Sequence, residues 1–228
     1  MLRSTAFGGY GSTDCFGRWL LLNSSATGCM VAGLSDLTED IAGVIPDVDS
    51  RTSGQYGDGI GSENEERQIE LLLDELREQD SRYQEVEREV PYPESAERCD
   101  LMLPDGTPVE AKLIRYWRAN GDPEPNMYKH VFSPFHKNTL LTDAHSLTDS
   151  EIGDRGGLLA LFYKRADNEP ETVDALPSRY TAEDIADKIA KDVAYWYDVE
   201  ASVCEISHFS GLQHTIHKQG AIISWIVE

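Results

Sequence analysis

The stretch that most constrains this chain is Leu103-Pro104-Asp105-Gly106-Thr107. Proline presets φ for the first turn position, aspartate tolerates the second, and glycine takes the left-handed third. A three-residue loop of this kind ends in a G1 bulge and fixes the register of the strands beside it. Leu103 then faces Thr107, Leu101 faces Val109, and Asp100 faces Glu110. Directly opposed residues share a sheet face, and so do residues two apart on one strand. Asp100, Glu110 and Lys112 therefore fall on one face. Cys99, Leu101, Leu103, Val109, Ala111 and Leu113 fall on the other, which is apolar.

Two carboxylates held side by side repel each other unless a cation lies between them. Oxygen donors without cysteine or histidine suit Mg²⁺ or Mn²⁺. A lysine beside such an ion can hold a water or steady a developing charge. The same pattern also arises where a charged hairpin face simply meets solvent.

Asp, a turn, then Glu-x-Lys on the next strand resembles the PD-(D/E)XK nuclease superfamily, the restriction-endonuclease-like fold, on Asp100, Glu110 and Lys112. Cys99 stands where that family carries a proline before the first acid. The resemblance implies an Mg²⁺- or Mn²⁺-dependent endonuclease acting on DNA, with RNA as the other nucleic acid. Asp100 and Glu110 would bind the metal with the backbone carbonyl of Ala111, and Lys112 would activate the attacking water. Many members complete the site with a first-helix glutamate. Glu66 is the candidate and Glu70 the second, each equally readable as a solvated helix charge. Double-strand cutting would call for a homodimer. The alternative is a non-catalytic member of the same fold, used as a binding or regulatory module in a nucleic-acid-processing complex.

Charge bears on this reading. The 228 residues carry 41 Asp and Glu against 20 Lys and Arg, a net charge of −21. Phosphate contacts come from Lys and Arg, so either the chain has no business with nucleic acid or its acidity is an adaptation to salt. Acidic surfaces stay soluble in concentrated salt, and short Debye lengths there leave binding to local groups. The composition points to a halophilic, haloarchaeal source. Cys15, Cys29, Cys99 and Cys204 have no zinc-type spacing, and widely spaced cysteines fit reduced thiols in the cytoplasm. No run approaches the roughly 20 apolar residues of a membrane span.

In chain order, residues 1–61 read as a poorly structured segment and linker, with a short helix from Leu34 to Ile45 and a Gly/Ser-rich linker from Arg51 to Gly61. Trp19 to Leu22 is too short for a signal-peptide core, and Met30 is an alternative start. Residues 62–228 read as the nuclease-like domain. Ser62-Glu63-Asn64-Glu65 resembles a capping box, and Ile69, Leu72, Leu73 and Leu76 mark one face of a helix to about Gln79. Tyr83 to Val90 alternates as an edge strand. The second hairpin strand runs on to Trp117.

Met127 to Asn138 is the most basic and aromatic stretch. Lys129, His130, His136, Lys137 and Asn138 are candidate phosphate or base contacts, with Arg115 and Arg118. Tyr128, Phe132 and Phe135 could stack on bases or belong to the core. A helix is expected from Ser133 to Leu147 with Pro134 in its first turn.

Gly156 to Lys164 is continuously apolar, as in a buried central strand. Asp167 to Pro177 is loop. Thr181 caps a helix whose Ile185, Ile189, Val193 and Trp196 pack on the sheet. Ser202 to Phe209 and Ala221 to Val227 are strands. His208, His214 and His217 lie across the loop between them, a poor zinc spacing. No phosphate-loop, dinucleotide or nucleophile-elbow motif is present. The expected fold is α/β: an αβββαβ restriction-endonuclease-like core, a mixed central sheet flanked by helices.

Overall fold

The apolar run at Gly156–Lys164 is the middle of a six-stranded mixed sheet. The structure, a computed structural model, describes residues 33–93, 95–165 and 180–228. The expected features at Trp19 to Leu22 and Met30, Cys15, Cys29 and the expected loop at Asp167 to Pro177 lie outside the described residues.

Helix α1 (Leu34–Arg51) is followed by a two-residue hairpin, β1 (Ser53–Gly54) and β2 (Gly57–Asp58), and then by α2 (Glu65–Gln79). The strands β3 (Glu87–Pro91), β4 (Arg98–Met102) and β5 (Pro108–Arg115) form an antiparallel meander. Short α3 (Met127–Val131) and α4 (Leu140–Asp149) lead into β6 (Gly156–Lys164). Helix α5 (Ala182–Tyr197), β7 (Ala201–Ser210) and β8 (Gln219–Val227) complete the chain. The sheet order is β3-β4-β5-β6-β8-β7, with β5 and β6 parallel and the other neighbours antiparallel. The protein is thus mixed α/β, its sheet flanked by helices.

Both faces of β6 are covered, which is why its sequence does not alternate in polarity. Leu158, Ala160 and Phe162 pack into a core shared with α4 and α5. Leu159, Leu161 and Tyr163 pack into a second core shared with α1 and α2. No helix among the described residues is long and apolar enough to cross a membrane.

Several boundaries differ from the expectation. Residues 34–61 are part of the fold, and described order begins at Gly33 rather than Ser62. Helix α1 runs six residues past Ile45, through Pro46, because burial of Leu37, Ile41, Ile45 and Val48 outweighs its weak helix formers. Each such side chain contributes about 1.5–3 kcal/mol on burial. The expected linker is a tight turn held by buried Asp49, which accepts from the backbone N–H groups of Ile60 (2.9 Å) and Gln213 (2.6 Å). Gly59 sits there at φ 95°, and a Cβ on it would meet Asp49 Oδ1 at 2.4 Å.

The N-cap of α2 is Asn64, not Ser62; its side chain accepts from the Arg67 N–H at 2.8 Å. Tyr83 lies in a 3-10 turn before the shorter β3, fully buried, and donates to Asp40 at 2.6 Å. Strand β5 stops at Arg115, and Trp117 instead bridges Pro123. The helix expected from Ser133 begins only at Leu140: Thr139 is the N-cap, and its hydroxyl donates to the Ser133 carbonyl (2.9 Å) to close the intervening turn. Thr181 caps α5 as expected, and Ile185, Ile189 and Val193 are buried, but Trp196 is exposed.

Candidate active site

The turn at Leu103 to Thr107 has the expected geometry. Gly106 is at φ 84°, and the Leu103 N–H donates to the Thr107 carbonyl at 2.9 Å. Leu101 is paired with Val109 and Met102 with Pro108. Beyond Leu101 the two strands part, and the expected Asp100–Glu110 cross-strand pair does not form. The Ala111 N–H donates instead to the Asp100 carboxylate, at 2.7 Å. On the other side of β4, Glu89 adopts φ 53°, left-handed for a non-glycine residue, opposite Asp100. This irregularity also redirects Cys99. Expected beside Leu101, it is buried in the core of the opposite face, where burial pushes its thiol up to about 12.

The wedge between β4 and β5 opens into a cleft of about 600 Å³. Its walls include Glu65 of α2, Glu89, Tyr92, Arg98 and Asp100 of the β3–β4 region, and Glu110 and Lys112 of β5. Lys137 and Asn138 of the turn before α4 and Thr142, Asp143 and Ser146 of α4 complete it. Asp100, Glu110 and Lys112 are thus together. Lys112 Nζ lies 3.3 Å from Asp143 Oδ2 and 3.6 Å from Glu65 Oε1. Tyr92 Oη donates to Glu110 Oε1 at 2.5 Å, and Glu65 accepts from the Leu113 N–H.

Glu65 and Asp143 therefore share one ammonium, which also feels the charge of Asp100. Burial, then the charge of Asp100, pushes Glu110 up to about 9. Burial likewise raises Asp143 to about 6, against the pull of Lys112, and raises Glu65. Burial alone would lower Lys112, but the charges of Asp143, Glu65 and Asp100 outweigh it and hold the amine above its usual range. Asp143 Oδ2 is buried and ion-paired with Lys112.

The excess of negative charge and the acceptor-only donor set suit a hard divalent cation. Asp100 and Glu110 could hold one, with Ala111 as a backbone ligand. Among the described residues no three His, Cys, Asp or Glu side chains are already gathered as a cage.

The α2 glutamate that lines the cleft is Glu65, one residue from the expected Glu66. Gln68, Ile69, Leu72, Leu73 and Leu76 define the buried face of α2. Glu65 precedes Gln68 by three and Ile69 by four, so it lies in the middle of that face. Glu66 is exposed at its edge, and Glu70 pairs outward with Arg67 and Arg88. Reading Glu65 as a capping residue concealed it. Asp143 was equally findable: it lies three after Leu140 and four before Leu147, a charge on the apolar face of α4.

Of the candidate nucleic-acid contacts, Lys137 and Asn138 line the cleft. Arg115 points to the opposite face of β5 and donates to the Gly61 carbonyl at 3.3 Å. Arg118 pairs with Glu124 at 3.4 Å, His136 bonds Ser133 at 2.8 Å, and Lys129 is exposed on α3. Phe132 is core, whereas Tyr128 and Phe135 are exposed. His214 and His217 are a buried stacked pair (4.8 Å between centroids). Burial lowers His217 to about 4, and its Nε2 is bonded to the Trp117 carbonyl at 2.9 Å. These histidines pin the loop before β8 onto the body of the fold.

No known protein family matches this chain, and neither does any curated protein or solved structure.

Proposed function

We propose that the cleft hydrolyses phosphodiester bonds of DNA with a bound Mg²⁺ or Mn²⁺. The observation that carries this reading is that Lys112, ion-paired with Glu65 and Asp143, lines one cleft with Asp100 and Glu110. The order of elements around the hairpin, helix–three strands–helix–strand, supports the restriction-endonuclease-like assignment. When bound, the cation supplies Lewis-acid activation of the phosphodiester and of water.

The chain's own residues do the rest. Tyr92 fixes the Glu110 carboxylate by donating to it, and the Ala111 N–H fixes Asp100. Lys112, as an ammonium, orients the water that attacks phosphorus in line as a P–O ester bond breaks. The water's proton passes to solvent and the leaving oxygen takes one from solvent, while the lysine charge offsets that gathering on the phosphoryl oxygens. Asp143 and Glu65 keep the amine protonated and aimed into the cleft.

A non-catalytic binding module is favoured by one observation: Lys112 is engaged by two carboxylates, leaving it little freedom to serve a substrate. Nicking of supercoiled plasmid in Mg²⁺, Mn²⁺ or EDTA separates the two readings. A nuclease nicks with metal, and loses at least about 100-fold in rate in Lys112→Ala and Asp100→Ala. Cleavage that survives both substitutions sinks the assignment. Metal-independent inertness of the wild type leaves the binding module.

A further inference from the structure

Three aromatic side chains stand together in water, one of them, Phe135, on the turn that also carries the cleft residues Lys137 and Asn138. Phe135 is 81% exposed, Tyr195 79% and Trp196 45%. The Phe135 and Trp196 centroids are 5.4 Å apart at 73°, and those of Trp196 and Tyr195 5.1 Å apart at 88°. Edge-on packing leaves ring faces that these neighbours do not cover. Clustered apolar surface of this kind usually marks a binding site.

The cluster is held in place. Tyr197 Oη donates to the Pro134 carbonyl at 3.1 Å, and the Tyr197 ring stacks on His145 at 4.8 Å and 9°. The end of α5 is thereby fixed to the turn that carries Phe135. That same turn reaches the cleft: Lys137 and Asn138 line it, Asn138 at φ 60°. Phe135 and Asn138 are three residues apart, so at most roughly 11 Å separates their Cα atoms. A few nucleotides span that distance, since a stacked strand rises about 3.4 Å per nucleotide.

Charge agrees. The twelve residues from Met127 to Asn138 carry the positive charges of Lys129 and Lys137 and no acid, in a chain of net charge −21 with its histidines neutral.

We propose that Phe135, Trp196 and Tyr195 form a stacking platform for unpaired bases of a single DNA strand leading into the carboxylate cleft. The substrate class is then DNA with a single-stranded segment next to the scissile phosphate. Duplex DNA hides its base faces, whereas unpaired bases offer them, and stacking tolerates any sequence. An acidic chain also gains from recognising bases, because that contact survives the salt that screens phosphate contacts. The direction of the strand rests on the nuclease reading; the stacking does not.

The test is binding of the full chain to fluorescein-labelled oligo(dT) and to a blunt duplex, in EDTA and molar KCl, by anisotropy. The wild type binds oligo(dT) more tightly than duplex. Phe135→Ala and Trp196→Ala each weaken it about 5- to 100-fold, the equivalent of about 1–3 kcal/mol. Trp196→Phe keeps a ring and should keep most of the binding, while removing the Trp196 fluorescence quenching expected of the wild type. All three rings lie at the surface, so unchanged circular-dichroism melts certify the fold. Equal binding by wild type and the Phe135→Ala/Trp196→Ala double variant overturns the proposal, as does a preference for duplex. So does self-association abolished by these substitutions without oligonucleotide binding, which would make the ridge an interface between copies. Absent nicking with ring-dependent oligo(dT) binding removes the nuclease reading and keeps the platform. Nicking with ring-independent binding does the reverse.

Discussion

At the scale of single residues, Glu110 makes the sharpest pH statement. Burial and Asp100 raise it to about 9 in the fold, against an ordinary 4.5 in the unfolded chain. Below the ordinary value both states are protonated and the contribution to stability is fully present. As pH rises toward 9, the unfolded chain releases the proton while the fold must retain it, so stability is lost. Asp143 adds a loss of the same sign between its ordinary 3.8 and about 6. The metal-free melting temperature should therefore fall from pH 5 to 9, and Glu110→Gln should flatten the upper part of that fall. Mg²⁺ or Mn²⁺ should restore stability most at the alkaline end. A flat profile in EDTA would contradict the described crowding of carboxylates. Glu65→Gln should lower nicking about 10- to 100-fold, as for groups that orient metal ligands, with Glu66→Gln near wild type. Glu110 and Lys112 were legible because turn chemistry sets parity and they share the cleft face, whereas Asp100 reaches the cleft from the point where the β4–β5 pairing has already broken down. Glu65 and Asp143 were not read, because each is visible only once a helix face has been drawn and a charge is noticed inside it.

Among the elements, the well-read ones have self-contained causes. β6 needed only an apolar run, α5 only its Thr181 cap and period, and the hairpin only its turn. Helix α1 was under-read because its glycine, proline and β-branched residues are weak helix formers, and tertiary burial overrides propensity. The segment from Arg51 to Gly61 looked like a linker for a related reason. Glycines that allow close packing, such as Gly59 against Asp49, have the same composition as glycines that allow motion. A chain beginning at Ser62 should accordingly fail to fold, since it removes the partners of Leu72, Tyr83 and Ile222 in one core; a cooperative melt from that fragment would refute the role of α1. The turn before α4 offers a milder test. Thr139 is fully buried, caps α4 and closes the loop that carries Phe135, Lys137 and Asn138. Thr139→Ala should cost about 0.5–2 kcal/mol in denaturant melts and should weaken oligo(dT) binding more than an equally destabilising change in α1.

For the whole molecule, the unresolved tension is a net charge of −21 on a protein proposed to handle a polyanion. Self-repulsion of that size opposes folding, and repulsion from phosphate opposes binding. Both act over the Debye length, which shrinks from about 10 Å at 0.1 M salt to about 3 Å at 1 M. Contacts inside the cleft and on the aromatic ridge are shorter-ranged or uncharged and survive the change. Salt should then act in the direction opposite to that of an ordinary basic nuclease. Raising KCl across this range should raise the melting temperature and hold or improve oligo(dT) binding, where counterion release would weaken a basic protein's binding by orders of magnitude. A melting temperature that falls with KCl would mean that ion pairs such as Arg82 with Asp36, Asp40 and Asp80 dominate over net repulsion. Binding that falls steeply with KCl would mean that Lys129 and Lys137 hold the strand by its phosphates and that the rings contribute little.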